Sequence, residues 1–131
     1  MGMIRTLLLG LFLMLGSLGF AQSRVYELRT YTCADGKLDA VIARFRDHTI
    51  PIFKKHGIES IGYWVPQDER SKNTLIYLIA HPNREAADKN WAAFQNDPEW
   101  KKVAAESEAN GKLVLKIDRV FLDPTPFSGL K

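Results

Sequence analysis

Large apolar and polar residues alternate in the first part of the chain, then recur at helical spacing, then alternate again. Residues 25–32 (VYELRTYT) set β-formers against polar groups and run into Ala34, Asp35 and Gly36, which are turn chemistry, so they predict a half-buried strand. A strand repeats every two residues, which puts Tyr26, Leu28 and Thr30 on one face and Glu27, Arg29 and Tyr31 on the other. The second set is polar and is a candidate pocket lining. In residues 37–56 the apolar positions Leu38, Val41, Ile42, Phe45, Ile52 and Phe53 form a helical stripe, with Arg44, Arg46, Asp47, Lys54 and Lys55 outside it and Gly57 as the stop. Pro51 lacks a backbone donor, which predicts a kink across residues 48–51 that aims His48 away from its neighbours.

Two further strands are read at residues 58–66 (IESIGYWVP) and 74–80 (TLIYLIA), joined as a hairpin by the polar loop QDERSKN. Asn83 is placed to cap a second helix, and Asp97 before Pro98 caps a new one that runs toward Gly111. Residues 113–122 (LVLKIDRVFL) make the fourth strand, and the tail 123–131, with Pro124, Pro126 and Gly129, is irregular. The resulting order βαββαβ predicts an α+β, ferredoxin-like fold: a four-stranded antiparallel sheet with helices on one face. Tyr63, Leu75, Tyr77, Leu115 and Ile117 are too many apolar side chains for the helix-covered side alone. Face-to-face homodimerisation is the expected way to cover the other.

Residues 6–20 (TLLLGLFLMLGSLGF) are uncharged and follow Arg5, and Gly19 and Ala21 satisfy the small-residue rule for a cut between Ala21 and Gln22. This reads as a signal peptide over residues 1–21, with a single domain at 22–131 exported to the periplasm or secreted. The run is shorter than the roughly 20 residues needed to span a bilayer, so no stable membrane insertion is expected after cleavage. The 131 residues carry 18 Lys plus Arg against 15 Asp plus Glu, a net charge of +3. That charge, with the lysines in isolated doublets at 54–55 and 101–102, speaks against a nucleic-acid partner. A lone cysteine, Cys33, excludes a disulfide within one chain and leaves a shielded thiol or a bridge between subunits.

Three pieces then stand in a telling order: YELRTYT at residues 26–32, H-x-x-P at 48–51 followed by HGIESIGYW at 56–64, and W-x-x-F-x-x-D-P-E-W at 91–100. Together they resemble the NIPSNAP family over nearly the whole mature chain. The resemblance implies a ferredoxin-like protomer of the dimeric α+β barrel group, in which two sheets close face to face with helices outside. It implies no settled activity. Animal members are known chiefly as mitochondrial proteins linked to mitophagy signalling and vesicle traffic, and the apolar leader here departs from an Arg-rich mitochondrial one, so those roles do not carry over. The wider barrel group includes cofactor-free monooxygenases, isomerases and haem-binding enzymes, an analogy at the level of fold.

The candidate chemistry is sparse. Glu27 and Arg29 share a strand face, and either line a ligand site, with Arg29 holding a carboxylate and Tyr31 donating a hydrogen bond, or pair with each other or with Lys116 and Asp118 in a structural ion-pair ladder at the dimer interface. His48 is the first candidate for acid–base work, with Tyr31 beside it. The competing reading of His48 is a cap on backbone carbonyls freed by Pro51. His56 next to Gly57 suits a helix C-terminus, and His81 has no partner that the sequence identifies. The three histidines fit no metal-ligand spacing, and no glycine-rich nucleotide loop or nucleophile elbow is present, so neither metal nor cofactor is expected. Trp91, Phe94 and Trp100 are either core or an aromatic pocket, and Trp64 is a candidate apolar wall opposite Arg29 if it shares the barrel interior with Tyr31.

Three functions follow from these readings. The first is a homodimeric barrel that binds a small apolar or aromatic molecule through Glu27, Arg29, Tyr31 and Trp64. The second is a cofactor-independent monooxygenase or isomerase using His48 or Tyr31, and the third is a protein-interaction module that uses the tail or the 67–73 loop.

Overall fold

The alternation at the start of the domain resolves into β1 (Val25–Cys33), the strand around which the sheet is built. A computed structural model describes residues 24–131, so the leader assigned to residues 1–21 lies outside the described residues. Next come α1 (Leu38–Arg44), a widened π-helical turn (Phe45–Thr49), α2 (Ile50–Lys55) and β2 (Glu59–Trp64). A single 3-10 turn, Glu69–Lys72, interrupts the loop before β3 (Thr74–His81). The chain closes with α3 (Arg84–Asn96), α4 (Pro98–Ser107) and β4 (Val114–Leu122). All neighbouring strands are antiparallel, in the order β2-β3-β1-β4, and the helices pack on one face, as the ferredoxin-like reading requires.

The proline disturbs the helix where expected, as a widened turn over Phe45–Thr49. Its ring excludes the carbonyl four residues back and it has no N–H to donate, so the helix widens for one turn before Pro51 and then continues. The Thr49 hydroxyl donates to the Arg44 carbonyl at 3.3 Å. Asn83 and Asp97 cap as expected, accepting from the Ala86 and Glu99 N–H groups, both at 2.8 Å. Gly57 ends α2 at φ +74°, a left-handed conformation that costs glycine little.

The core lies between the sheet and the helices. Val41, Phe45, Ile52 and Phe53 from the first helical region and Trp91 and Phe94 from α3 meet Tyr31, Tyr77 and Ile79 from the sheet. Cys33 is buried in this cluster as a free, shielded thiol, and burial pushes it above its ordinary pKa.

Residues facing each other across an antiparallel ladder share a face, and the register corrects the expected division of the sheet. Tyr63, Leu75 and Tyr77 all lie on the helix-covered side with Arg29 and Tyr31. The open side instead carries Leu28, Ile76, Leu78, Val120 and Leu122, with Trp64 at one margin. The uncovered apolar face exists, built from the other half of each alternation.

Candidate functional site

Glu27 is fully buried and accepts three hydrogen bonds: from Arg29 Nη1 at 2.7 Å, His81 Nε2 at 2.9 Å and Trp91 Nε1 at 2.8 Å. Arg119 Nε lies 3.5 Å from the same carboxylate. Burial alone would raise this carboxyl, but the bonds from His81, Trp91 and Arg29 outweigh it and hold it at about 2. Arg29 is enclosed in turn by aromatic rings, with its guanidinium carbon 4.4 Å from the Trp91 ring centroid and 5.7 Å from that of Tyr31. Glu27 and Arg29 thus pair with each other and with residues of three other elements, beneath the helices. Lys116 and Asp118 pair separately, 3.3 Å apart, on the opposite face.

Trp64 and His48 do not join Glu27, Arg29 and Tyr31. Trp64 shares a face with Ile76 and Thr30, across the sheet from Arg29 and Tyr31, because Tyr63 rather than Trp64 is in register with Tyr77. Its indole lies flat over Gly62, where an added Cβ would approach the ring to 2.3 Å, and it remains 53% exposed. The apolar wall opposite Arg29 is therefore not formed. His48 is exposed on the outer surface of the π-helical turn, beside Asp47 and Glu106 and away from the sheet. Tyr31 is buried and accepts a hydrogen bond from the Tyr77 hydroxyl at 3.2 Å.

The other histidines are structural ties. His81 is the last residue of β3, not the start of a loop, and period two sets it on the same face as Tyr77 and Ile79. His56 Nε2 lies 2.6 Å from Asp97, which also takes Lys55 at 2.8 Å, so the end of α2 is tied to the start of α4. Hydrogen bonds from Lys55 and His56 hold the Asp97 carboxyl well below its ordinary range.

Sequence reasoning missed Arg44, which it placed outside the apolar stripe. Only 8% of it is exposed, its guanidinium carbon is 5.3 Å from the Trp100 ring centroid, and Nη1 donates to Ser107 Oγ at 3.1 Å. A groove of about 400 Å³ opens beside it between α4 and β4, with Tyr31, Trp100, Leu115 and Ile117 along its walls. The available signal was weak: three residues after Val41 and one before Phe45, Arg44 falls at the edge of the stripe. Among the described residues, no group of three His, Cys, Asp or Glu side chains is arranged to hold a metal ion, and no helix is long and apolar enough to cross a membrane.

Residues 26–129 match the NIPSNAP family model, which takes in all the strands and helices described above but for Val25 at the start of β1. The chain belongs to the NIPSNAP family. It is similar to a NIPSNAP family protein with unknown function from Agrobacterium tumefaciens, 24% identical over 83% of this chain and 95% of that one, with a TM-score of 0.72. A second NIPSNAP family protein of that organism is 20% identical over 82% and 99% of the two chains, again at 0.72. A NIPSNAP-like domain protein from Burkholderia xenovorans is 20% identical over 80% and 88%, at 0.70. At these identities the likeness speaks for the fold alone. No curated protein gives a significant match.

The NIPSNAP fold here rests on a charged centre, and this makes its stability depend on acid. A carboxyl whose folded pKa is lowered stabilises the fold fully above its unfolded value and loses that contribution as the pH falls through the folded one. For Glu27 the window runs from 4.5 down to about 2, and the contribution is at most about 3 kcal/mol. Urea midpoints are expected to hold steady from neutral pH to the top of this window and to drop inside it. Asp97 acts in the same direction, so the part due to Glu27 is the part that Glu27→Gln removes.

Proposed function

We propose that this NIPSNAP protein is exported and works as a homodimer, two open sheet faces closing into a barrel, which binds a small apolar or aromatic molecule without transforming it. The observation that carries the reading is the apolar row Leu28, Ile76, Leu78, Val120 and Leu122 on the uncovered face of the sheet. A contiguous apolar face of this kind marks an interface, and a second copy presents the same surface in return. Export is supported by the uncharged residues 6–20 behind Arg5. Binding is favoured over catalysis because His48 is exposed on the outer helical surface while Tyr31 and Arg29 are buried beneath the helices, and Arg29 is already engaged by Glu27.

The test is native mass spectrometry of the protein expressed with its own leader and recovered from outside the cytoplasm. The expected species is a dimer of chains beginning at Gln22, which Leu28→Glu with Val120→Glu converts to a folded monomer by burying like charges across the interface. A wild-type monomer at micromolar concentration would falsify the dimer, and an uncleaved chain would overturn export.

A further inference from the structure

The groove between α4 and β4 joins apolar walls to a buried cation. β4 is an edge strand whose helix-facing side is not fully roofed by α4, so Leu115 and Ile117 stay exposed while Tyr31 and Trp100 close the inner wall. Arg44 stands at its base and is more than nine-tenths buried. Its charge is incompletely answered. The nearest carboxylate, Glu108, is 3.9 Å away and half exposed, the Ser107 hydroxyl is neutral, and Nε has no hydrogen-bond partner. Arg29 Nε likewise lacks a partner, but the Arg29 charge is answered by a fully buried carboxylate at 2.7 Å. Lys112 adds positive charge at the rim.

We infer that this groove binds a small carboxylate with an aromatic or aliphatic body, its carboxylate on the Arg44 guanidinium and its body against Trp100, Tyr31, Leu115 and Ile117. A planar guanidinium suits a carboxylate, and its desolvation strengthens the pairing. A groove of about 400 Å³ falls within the usual size of small-molecule sites, and apolar walls with one fixed charge are their usual composition. The inference rests on the reading of the protein as a binder but not on the dimer, since the groove lies on the helix side of the sheet and the proposed interface on the other.

Calorimetric titration with phenylacetate, and with 2-phenylethanol as its uncharged counterpart, tests the assignment. The acid is expected to bind at least about tenfold more tightly than the alcohol, and Arg44→Gln to weaken it by a similar factor. Leu115→Trp, at an exposed position, fills the groove and is expected to abolish binding without lowering the melting temperature, which keeps the test open if Arg44→Gln fails to fold. The Leu28→Glu, Val120→Glu chain is expected to bind phenylacetate as the wild type does, so a failed dimer and a failed groove are told apart. Absence of binding at about 5 mM acid, equal affinity for the alcohol, or undiminished binding by Leu115→Trp would overturn the assignment.

Discussion

Glu27→Ala is expected to lower the free energy of unfolding by about 3–5 kcal/mol, enough to unfold much of a domain whose total stability is on the order of 5–15 kcal/mol. The loss of one carboxylate strands its donors. Arg29, His81 and Trp91 all point hydrogen bonds at that side chain from β1, β3 and α3, and each would be left buried and unsatisfied. Arg29 would suffer most, since its charge would remain beneath the helices with only aromatic faces around it. The cost lies in the broken pair more than in any net strength of the intact one. Glu27→Leu combined with Arg29→Met is therefore expected to recover part of the stability lost by Glu27→Ala, because it removes the uncompensated charge. Urea denaturation of the three variants measures both effects, and a double variant no more stable than Glu27→Ala would count against this account.

Phe53→Ala is expected to cost a similar amount, about 3–5 kcal/mol, for an unrelated reason. The ring is 1% exposed and meets Phe45, Tyr77, Trp91 and Phe94, with centroids 4.9 to 6.3 Å away. These neighbours come from the π-helical turn, β3 and α3, so no single element can shift to fill the space. A cavity would remain, and the loss of dispersion contacts adds to the loss of apolar burial. Phe127→Ala is the matched control: that ring is 89% exposed, and its removal is expected to change stability by no more than about 0.5 kcal/mol. Thermal unfolding of the two variants side by side separates burial from ring size.

The elements were legible because their signals are local. The β1 alternation, the Asn83 and Asp97 caps and the stop at Gly57 each need only a few neighbouring residues, and all appear where the pattern set them. Which face of the sheet meets the helices is not a local property. Glu27 and Arg29 read as a pocket set or an interface ion-pair ladder because charge is seldom core, and what overrides that is His81 and Trp91, 54 and 64 residues further along. With that face inverted, Trp64 passed to the other side and the expected ligand constellation dissolved. Arg44 was missed for the converse reason. A long cationic side chain at the edge of an apolar stripe is usually solvated, and only the packing of α4 across α1 buries it.

The position of β1 between β3 and β4 bears on how the molecule is assembled as it emerges from a ribosome or a translocation channel. The first strand to appear is an interior one, and one of its two edges stays unfilled until residues 114–122 arrive. Until then the edge of β1 that meets β4, from Tyr26 to Cys33, keeps its outward backbone groups unpaired and open to strands of other nascent chains. Low local contact order in the helices does not shorten that interval, because the closing pair spans almost the whole domain. A chain arrested before Val114 is thus a hazard in a crowded compartment, and the last strand to be synthesised is the one that seals it.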